Sequence, residues 1–579
     1  MDGGALAERP DSHEPREPEP ADAPRVDDAL RDALLIAAAA LLGRLPSLGA
    51  FWNRDDWTLL ARATGLLETD GLPARAVSQV LYWRLLHPVF GLAPEPWAWS
   101  RLLLHAASAL LVRRIARRCG LAAPAALLAG LLFAATPLAF APLYWAAGVQ
   151  DLLGGVLALL AVERLLSGGR TALLAAAVAG TLAILAKENA LCLPVLAGLI
   201  ALGLDRERRR GHLAVAAGLA VVAVVETLVL WRNFPHGPGT GYELAPLSAF
   251  PENLVVFGWW LATPWPFYAP QDNLFMLTAG LLVWAAWLFW SWHRWRAGDR
   301  RPAAWLAAAL LALAPALVVD FRLEPRLAYL SFAPAAVLLG LLVLGARPRL
   351  RPLAAVGLAV VAAAVGWTAM ETRLSARNAD DTPADPLVLH TAVSHEALRT
   401  LAAINTVEGQ RFVILQIEDD ARRRSRLGTP SGLPIPTILH EALEGDLGHA
   451  IHGSADRSVR WVRRLDDVPL DALVFADAGP RLRYWGPVAQ AFIYQMLTEV
   501  ARGRHDEAVK HLVQGLRNSR QIMAFVYDEA QLPADPEALR INARGFLDRI
   551  RSTAGLNAET KSELLAAARD LLTLCNAYI

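Results

Sequence analysis

The sequence is short of charge and of cysteine. Only 19% of its 579 residues are charged, with 56 Lys and Arg against 55 Asp and Glu. A net charge of +1 leaves no basic face for a nucleic acid, and that class of partner is set aside. The three cysteines are Cys119 beside a basic cluster, Cys192 inside an apolar run and Cys575 near the C-terminus. They make no disulfide framework, so the C-terminal region must be stable without a bridge of its own. Metal-site spacing is missing as well: His440-Glu441 is followed by Glu444 where a zincin places its second His. His449 and His452 can share a helical face but have no further obvious ligand, and Gly237-Pro238-Gly239-Thr240-Gly241 lacks the Lys-Ser/Thr ending of a phosphate loop. No metal site is assigned from these spacings and no resident cofactor is expected, while the adjacent carboxylates Asp55 and Asp56 leave a divalent cation open. No basic n-region precedes the first apolar run at about Leu30. Residues 1–28, rich in Pro, Glu, Asp and Ala, therefore read as a disordered cytoplasmic leader and not as a cleavable signal.

What the chain has is hydrophobic length. It is 55% hydrophobic with a mean hydropathy of +0.32, and its polar residues are segregated into blocks. Apolar runs lie at about 30–50, 99–118, 121–141, 144–166, 170–187, 189–204, 211–232, 274–293, 302–320, 326–346 and 351–371. Each is long enough, with tilt, for a helical span, which predicts about eleven crossings. The clusters Arg113 to Arg118, Arg206 to Arg210, Arg294 to Arg301 and Arg347 to Arg351 all fall on one side if the N-terminus is cytoplasmic. The segment 251–267 has about 13 apolar residues before Pro264 and Pro266; it is read as an interfacial or re-entrant piece with its tryptophans at headgroup depth. An odd number of spans places everything after residue 376 outside the cytoplasm. The expectation is a polytopic α-helical membrane protein with a transmembrane domain over 29–375, a first external loop over 51–98, and an extracytoplasmic soluble α/β domain over 376–579.

In that last region, Arg411 to Ile417 and Ala472 to Ala476 read as buried strands. Ala478-Gly479-Pro480 before RLRYW suggests a turn into a partner strand. From about 487 the periodicity is helical, with one helical-hairpin-like stretch and no second copy.

Four polar groups interrupt the apolar pattern on one predicted face. Asp55 and Asp56 follow the first span; adjacent residues do not share a helix face, so one can point into a cavity while the other holds backbone or a cation. Capping of an interfacial helix is the competing reading of the pair. The loop after them carries Gln79, Tyr82, Trp83, Arg84 and His87-Pro88 and looks like an ordered lid. Lys187-Glu188-Asn189 is an ionisable pair flanked by apolar residues, either a functional site or a self-compensating turn. Asp320 to Arg326 places Arg322 and Arg326 on the outside, against the positive-inside trend, where arginine suits phosphate oxygens and Glu324 is the structural competitor for Arg326. Gln150-Asp151 starts the fourth span, where Asp151 also favours the helix dipole.

These pieces, in this order over about 50–335, resemble membrane glycosyltransferases of the C-type fold. The likeness is to the protein O-mannosyltransferase superfamily and the transmembrane mannosyltransferases that bear tetratricopeptide repeats. It rests on Asp55-Asp56, on Arg101 to Arg118 with His105, on Thr136-Pro137 through Asp151, on Ala186-Lys187-Glu188 and on Glu324 to Ser331. The repeat array of those relatives is missing, and Leu138 to Ala141 stand where they usually carry polar residues. The resemblance implies a polyprenyl-phosphate sugar donor, an unidentified acceptor, and inverting transfer at the outer face of the inner membrane. It makes Asp55 or Asp56 the general base, with Asp56 slightly favoured. Arg322, Arg326 and Lys187 would hold the donor phosphate, oriented by Glu188. Tyr329, His87 and His105 would be wall or supporting residues, although His105 inside a span also reads as a hydrogen-bonded core histidine. A lipid transporter or flippase, or an envelope scaffold, are the alternatives from other classes.

Overall fold

A computed structural model describes residues 26–68, 73–204, 206–233, 245–262, 274–318, 324–344, 351–379 and 381–403. Beyond these it describes 411–416, 438–445, 447–452, 458–462, 472–477, 482–487 and scattered single positions. Each apolar run expected from the sequence carries helix. The first is α1 (Val26–Leu42), followed in the first loop by α2 (Asp55–Thr64) and α3 (Tyr82–Phe90), then α4 (Pro94–Arg118). Next come a broken pair, α5 (Ala123–Ala135) and α6 (Phe140–Tyr144), and then α7 (Val149–Ser167), α8 (Arg170–Ile184), α9 (Leu193–Leu202) and α10 (Arg206–Asn233). The bundle is completed by α11 (Phe250–Ala262), α12 (Leu274–Arg296), α13 (Arg301–Leu317), α14 (Phe332–Leu344) and α15 (Arg351–Ser375).

Among the described residues four helices are long and apolar enough to cross a membrane: Ala146–Ser167, Arg206–Asn233, Leu274–Arg296 and Leu353–Ser375. The bent pair Ala123–Ala135 with Pro137–Tyr144 makes a fifth, and the apolar helices at 170–184, 188–202, 301–317 and 332–343 are shorter. The bend has a local cause. Pro137 cannot donate to the turn before it, which leaves carbonyls at the end of α5 without helical partners. Arg44, buried at the end of α1, fills that gap by donating to Ala135 O at 2.6 Å and Thr136 O at 2.9 Å. Its other nitrogen donates to Gly366 O of α15 at 3.3 Å. A Cβ at 366 would stand 2.2 Å from Ala135 O, so only glycine lets α15 come this close to α5.

The same device joins α11 to α12. A Cβ on Gly280 would lie 2.2 Å from Val255 O, and Trp284 Nε1 donates to Leu254 O at 2.6 Å across the contact. Trp259 and Trp260, read from the sequence as headgroup-level anchors, are instead buried in the bundle core. The helices touch backbone to side chain at the glycines, and that approach covers both indoles. Pro264 and Pro266 lie outside the described residues.

After the bundle come α16 (Pro386–Ala403), β1 (Arg411–Gln416), α17 (Ile438–Leu443), α18 (Leu447–His452), β2 (Ser458–Val462), β3 (Leu473–Asp477) and β4 (Leu482–Pro487). The four strands form one sheet in the order β2-β1-β3-β4. β1 is parallel to both β2 and β3, as the helical crossover between β1 and β2 requires, and β3 turns back into antiparallel β4. Both predicted strands and the predicted partner strand are present. The helical stretch expected from about 487 lies almost wholly outside the described residues.

Strand alternation gives the sheet two apolar faces. Val413 and Leu415 pack with Val462, Val474 and Ala476 on one side. On the other, Phe412, Ile414 and Phe475 share a core with Trp52, Trp57, Leu60 and Trp145, residues of the first loop and of the segment before α7. The C-terminal sheet region and the first loop therefore pack as one body.

Candidate functional site

The two carboxylates at the start of α2 have separate fates. Asp56 is fully buried; its Oδ1 accepts from Ala147 N at 2.6 Å and its Oδ2 from Asn53 N at 3.0 Å. Burial pushes its carboxyl up to about 7, against the pull of those two backbone amides. Asp55 is exposed, and no hydrogen bond or ion pair from its side chain is found among the described residues. Both oxygens of Asp56 are committed to holding the backbone, whereas Asp55 faces outward.

Trp145 links this helix start to the deeper charges. The Arg54 guanidinium lies 5.3 Å and the Arg326 guanidinium 4.9 Å from its ring centroid. Arg326 pairs with Glu324 and reaches Asp151 at 3.5 Å. Asp151 lies 3.8 Å from Lys187 Nζ, and Lys187 is 3.0 Å from Glu188. Glu188 in turn is held by Arg75 Nε at 2.8 Å. Arg75 also donates to Gln150 at 3.1 Å, and its backbone N–H donates to Glu226 of α10 at 2.8 Å.

Small residues on α7 make this approach possible. A Cβ on Gly154 would stand 2.7 Å from Lys187 Cβ, and one on Gly155 would stand 3.0 Å from the Tyr329 ring. Between them runs a narrow crevice lined by Asp151, Lys187, Asn189 and Tyr329. Asn189 donates to Leu327 O at 2.8 Å and fixes the Lys187 turn to the Arg326 segment. Tyr329 O–H meets His105 Nδ1 at 3.0 Å, while His105 Nε2 meets Ala134 O at 3.1 Å. His105 is fully buried with both ring nitrogens in hydrogen bonds.

No protein-family model matches this chain. No curated protein is detectably similar to it in sequence either. The site must stand on its own geometry.

That geometry brings together Asp55, Asp56, Gln150, Asp151, Lys187, Glu188, Glu324, Arg326, Tyr329 and His105, which come from segments far apart in the chain. His87, on α3, has no hydrogen bond or ion pair to this network among the described residues, and Arg322 lies outside them. The cations Arg75, Lys187 and Arg326 are interleaved with Glu188, Asp151 and Glu324, so an incoming anion must displace a carboxylate. Glu324 is the one most easily moved: its side chain is 30% exposed, against 2% for Asp151.

Sequence reasoning missed three of the charged groups here: Arg54, Arg75 and Glu226. Two carried a usable signal. Arg75 breaks the same charge rule that singled out Arg326, and Glu226 is a lone carboxylate within an apolar run.

Proposed function

We propose that this chain is a polytopic membrane glycosyltransferase of the C-type kind, acting at the outer face of an inner membrane with about eleven spans, a cytoplasmic N-terminus and an extracytoplasmic soluble domain. Its donor is a polyprenyl-phosphate sugar and its acceptor carries a hydroxyl group. What supports the reading is the meeting of an exposed carboxylate, Asp55, with a charged network containing Lys187 and Arg326, next to a buried crevice.

In this mechanism the acceptor oxygen attacks the anomeric carbon as the bond to the phosphate oxygen breaks. Asp55 takes the hydroxyl proton, and such assistance is worth about 10²–10⁴ in rate. The electron pair leaves on the phosphate, whose charge Arg326 and Lys187 stabilise as Glu324 swings aside. Arg322 is the second arginine proposed for the phosphate.

The test is turnover in lipid with radiolabelled polyprenyl-phosphate sugars, comparing wild type with Asp55→Asn and Asp56→Asn. Label leaves the lipid in wild type and not in folded Asp55→Asn. If no donor is turned over while polyprenyl phosphate still binds, the chain is a lipid carrier instead; if nothing binds, it is a scaffold.

A further inference from the structure

Asp55 has a neighbour from the soluble domain. The end of α17 is pressed onto the start of α2, where Ala442 O accepts from Arg54 N and from Trp57 Nε1, each at 3.0 Å. Glu441 pairs with Arg54 Nε at 3.1 Å and with His390 at 3.3 Å. A Cβ on Gly448 would stand 3.0 Å from Trp57, so α18 also rides directly on α2.

The residue at the apex of this clamp is Glu444. Its φ of 49° lies in the left-handed region, and Gly445 follows at 67°. A non-glycine residue held there is strained, and the surrounding contacts have to enforce it. The turn sets the Glu444 carboxyl beside the Thr58 hydroxyl. Thr58 is three residues on from Asp55 and shares its helix face. The charged groups acting on Glu444 are Asp55 and Arg54 from α2 and Glu441 from α17, with the His440 imidazole bordering Gly445. Burial first, and the Asp55 charge second, push the Glu444 carboxyl up to about 7. A carboxylate so placed exchanges protons near neutral pH.

We propose that the soluble domain completes the transfer centre, with Glu444 as the residue that takes over the proton Asp55 removes from the acceptor. The inference rests on Asp55 being the base. The proton passes from the acceptor hydroxyl to Asp55 as the sugar–oxygen bond forms, then to Glu444 and on to bulk water. Both carboxylates return to their starting state, and no other reactant is needed. Glu444 acts through Asp55, and so it is a positioning and relay residue.

The experiment uses the full chain in lipid, with Glu444→Gln, Glu444→Asp and Asp55→Asn. Turnover of polyprenyl-phosphate sugars is measured from about pH 5 to 9, alongside carbodiimide labelling of Glu444 read by mass spectrometry. Glu444→Gln is expected to lose roughly 10- to 100-fold in kcat with KM little changed, and Glu444→Asp to recover most of it. The labelling midpoint of Glu444 is expected to fall in Asp55→Asn. A wild-type rate and pH profile in Glu444→Gln would overturn the relay, as would equal losses in the Gln and Asp variants. If wild type turns over no donor, labelling decides separately. A midpoint that moves keeps the carboxylate pair while the transferase reading falls; one that does not move sinks the pair as well.

Discussion

Asp56→Ala should loosen the Asn53 and Ala147 segments, far apart in the chain, at the same time. The carboxylate satisfies the buried amides of Asn53 and Ala147, and alanine leaves both without an acceptor. A buried donor left unmade costs about 1–3 kcal/mol, so the pair amounts to roughly 2–6 kcal/mol. The pH dependence gives the sharper test. Burial raises the folded-state pKa from 3.8 to about 7, so Asp56 stabilises the fold fully below its unfolded value and loses that contribution as pH rises through about 7. Two pH units, from about 5 to 7, correspond to about 3 kcal/mol. The penalty of Asp56→Ala is therefore greatest in acid and shrinks by about that amount toward pH 8. Hydrogen exchange in lipid discs, corrected for intrinsic rates, reads both segments together with the thermal midpoint. A penalty that grows with pH, or deprotection of one segment alone, would refute the reasoning.

The remaining predictions are simpler. Asp55→Asn is expected to lose about 10²–10⁴ in turnover while its thermal midpoint stays near wild type; a large stability loss would show that Asp55 is structural. Glu324→Gln removes the movable competitor of the donor phosphate, so polyprenyl phosphate should bind roughly two- to five-fold tighter in a competition assay. Weaker binding would mean that Glu324 positions Arg326 instead. Gly280→Ala forces a Cβ to within 2.2 Å of Val255 O and should cost about 1–3 kcal/mol or more as α11 and α12 separate, visible as a lowered midpoint. An unchanged midpoint would show that the two helices do not pack through their glycines.

Local pattern made much of this molecule legible. Apolar runs became helices because helix satisfies every backbone group within the run, and the strands at 411–416 and 473–477 announced themselves by apolar density before a turn signal. The sequence also showed that adjacent carboxylates must diverge. It did not show which one diverges inward, because the deciding donor is Ala147 N, brought in by the bend after Pro137. Arg75 was passed over for a similar reason: its partners Glu188 and Glu226 lie 113 and 151 residues away. Glu441 and Glu444 were read only as failed metal ligands, since a docking surface between two regions of the chain leaves no periodicity behind. The tryptophans of α11 were misplaced because the glycines that admit α12 act through close approach and not through hydropathy.

The Arg44 contacts bear on how the chain is made. Ala135 O and Thr136 O are synthesised soon after Arg44, but its third acceptor, Gly366 O, comes 322 residues later. Until α15 joins, the buried guanidinium lies among apolar helices with one of its acceptors missing, which is costly for a buried donor. The bundle therefore closes with its last helix. A chain cut before residue 351 would retain Asp55, Lys187 and Arg326 yet leave this seam open, marking the truncated product as unfinished in the membrane.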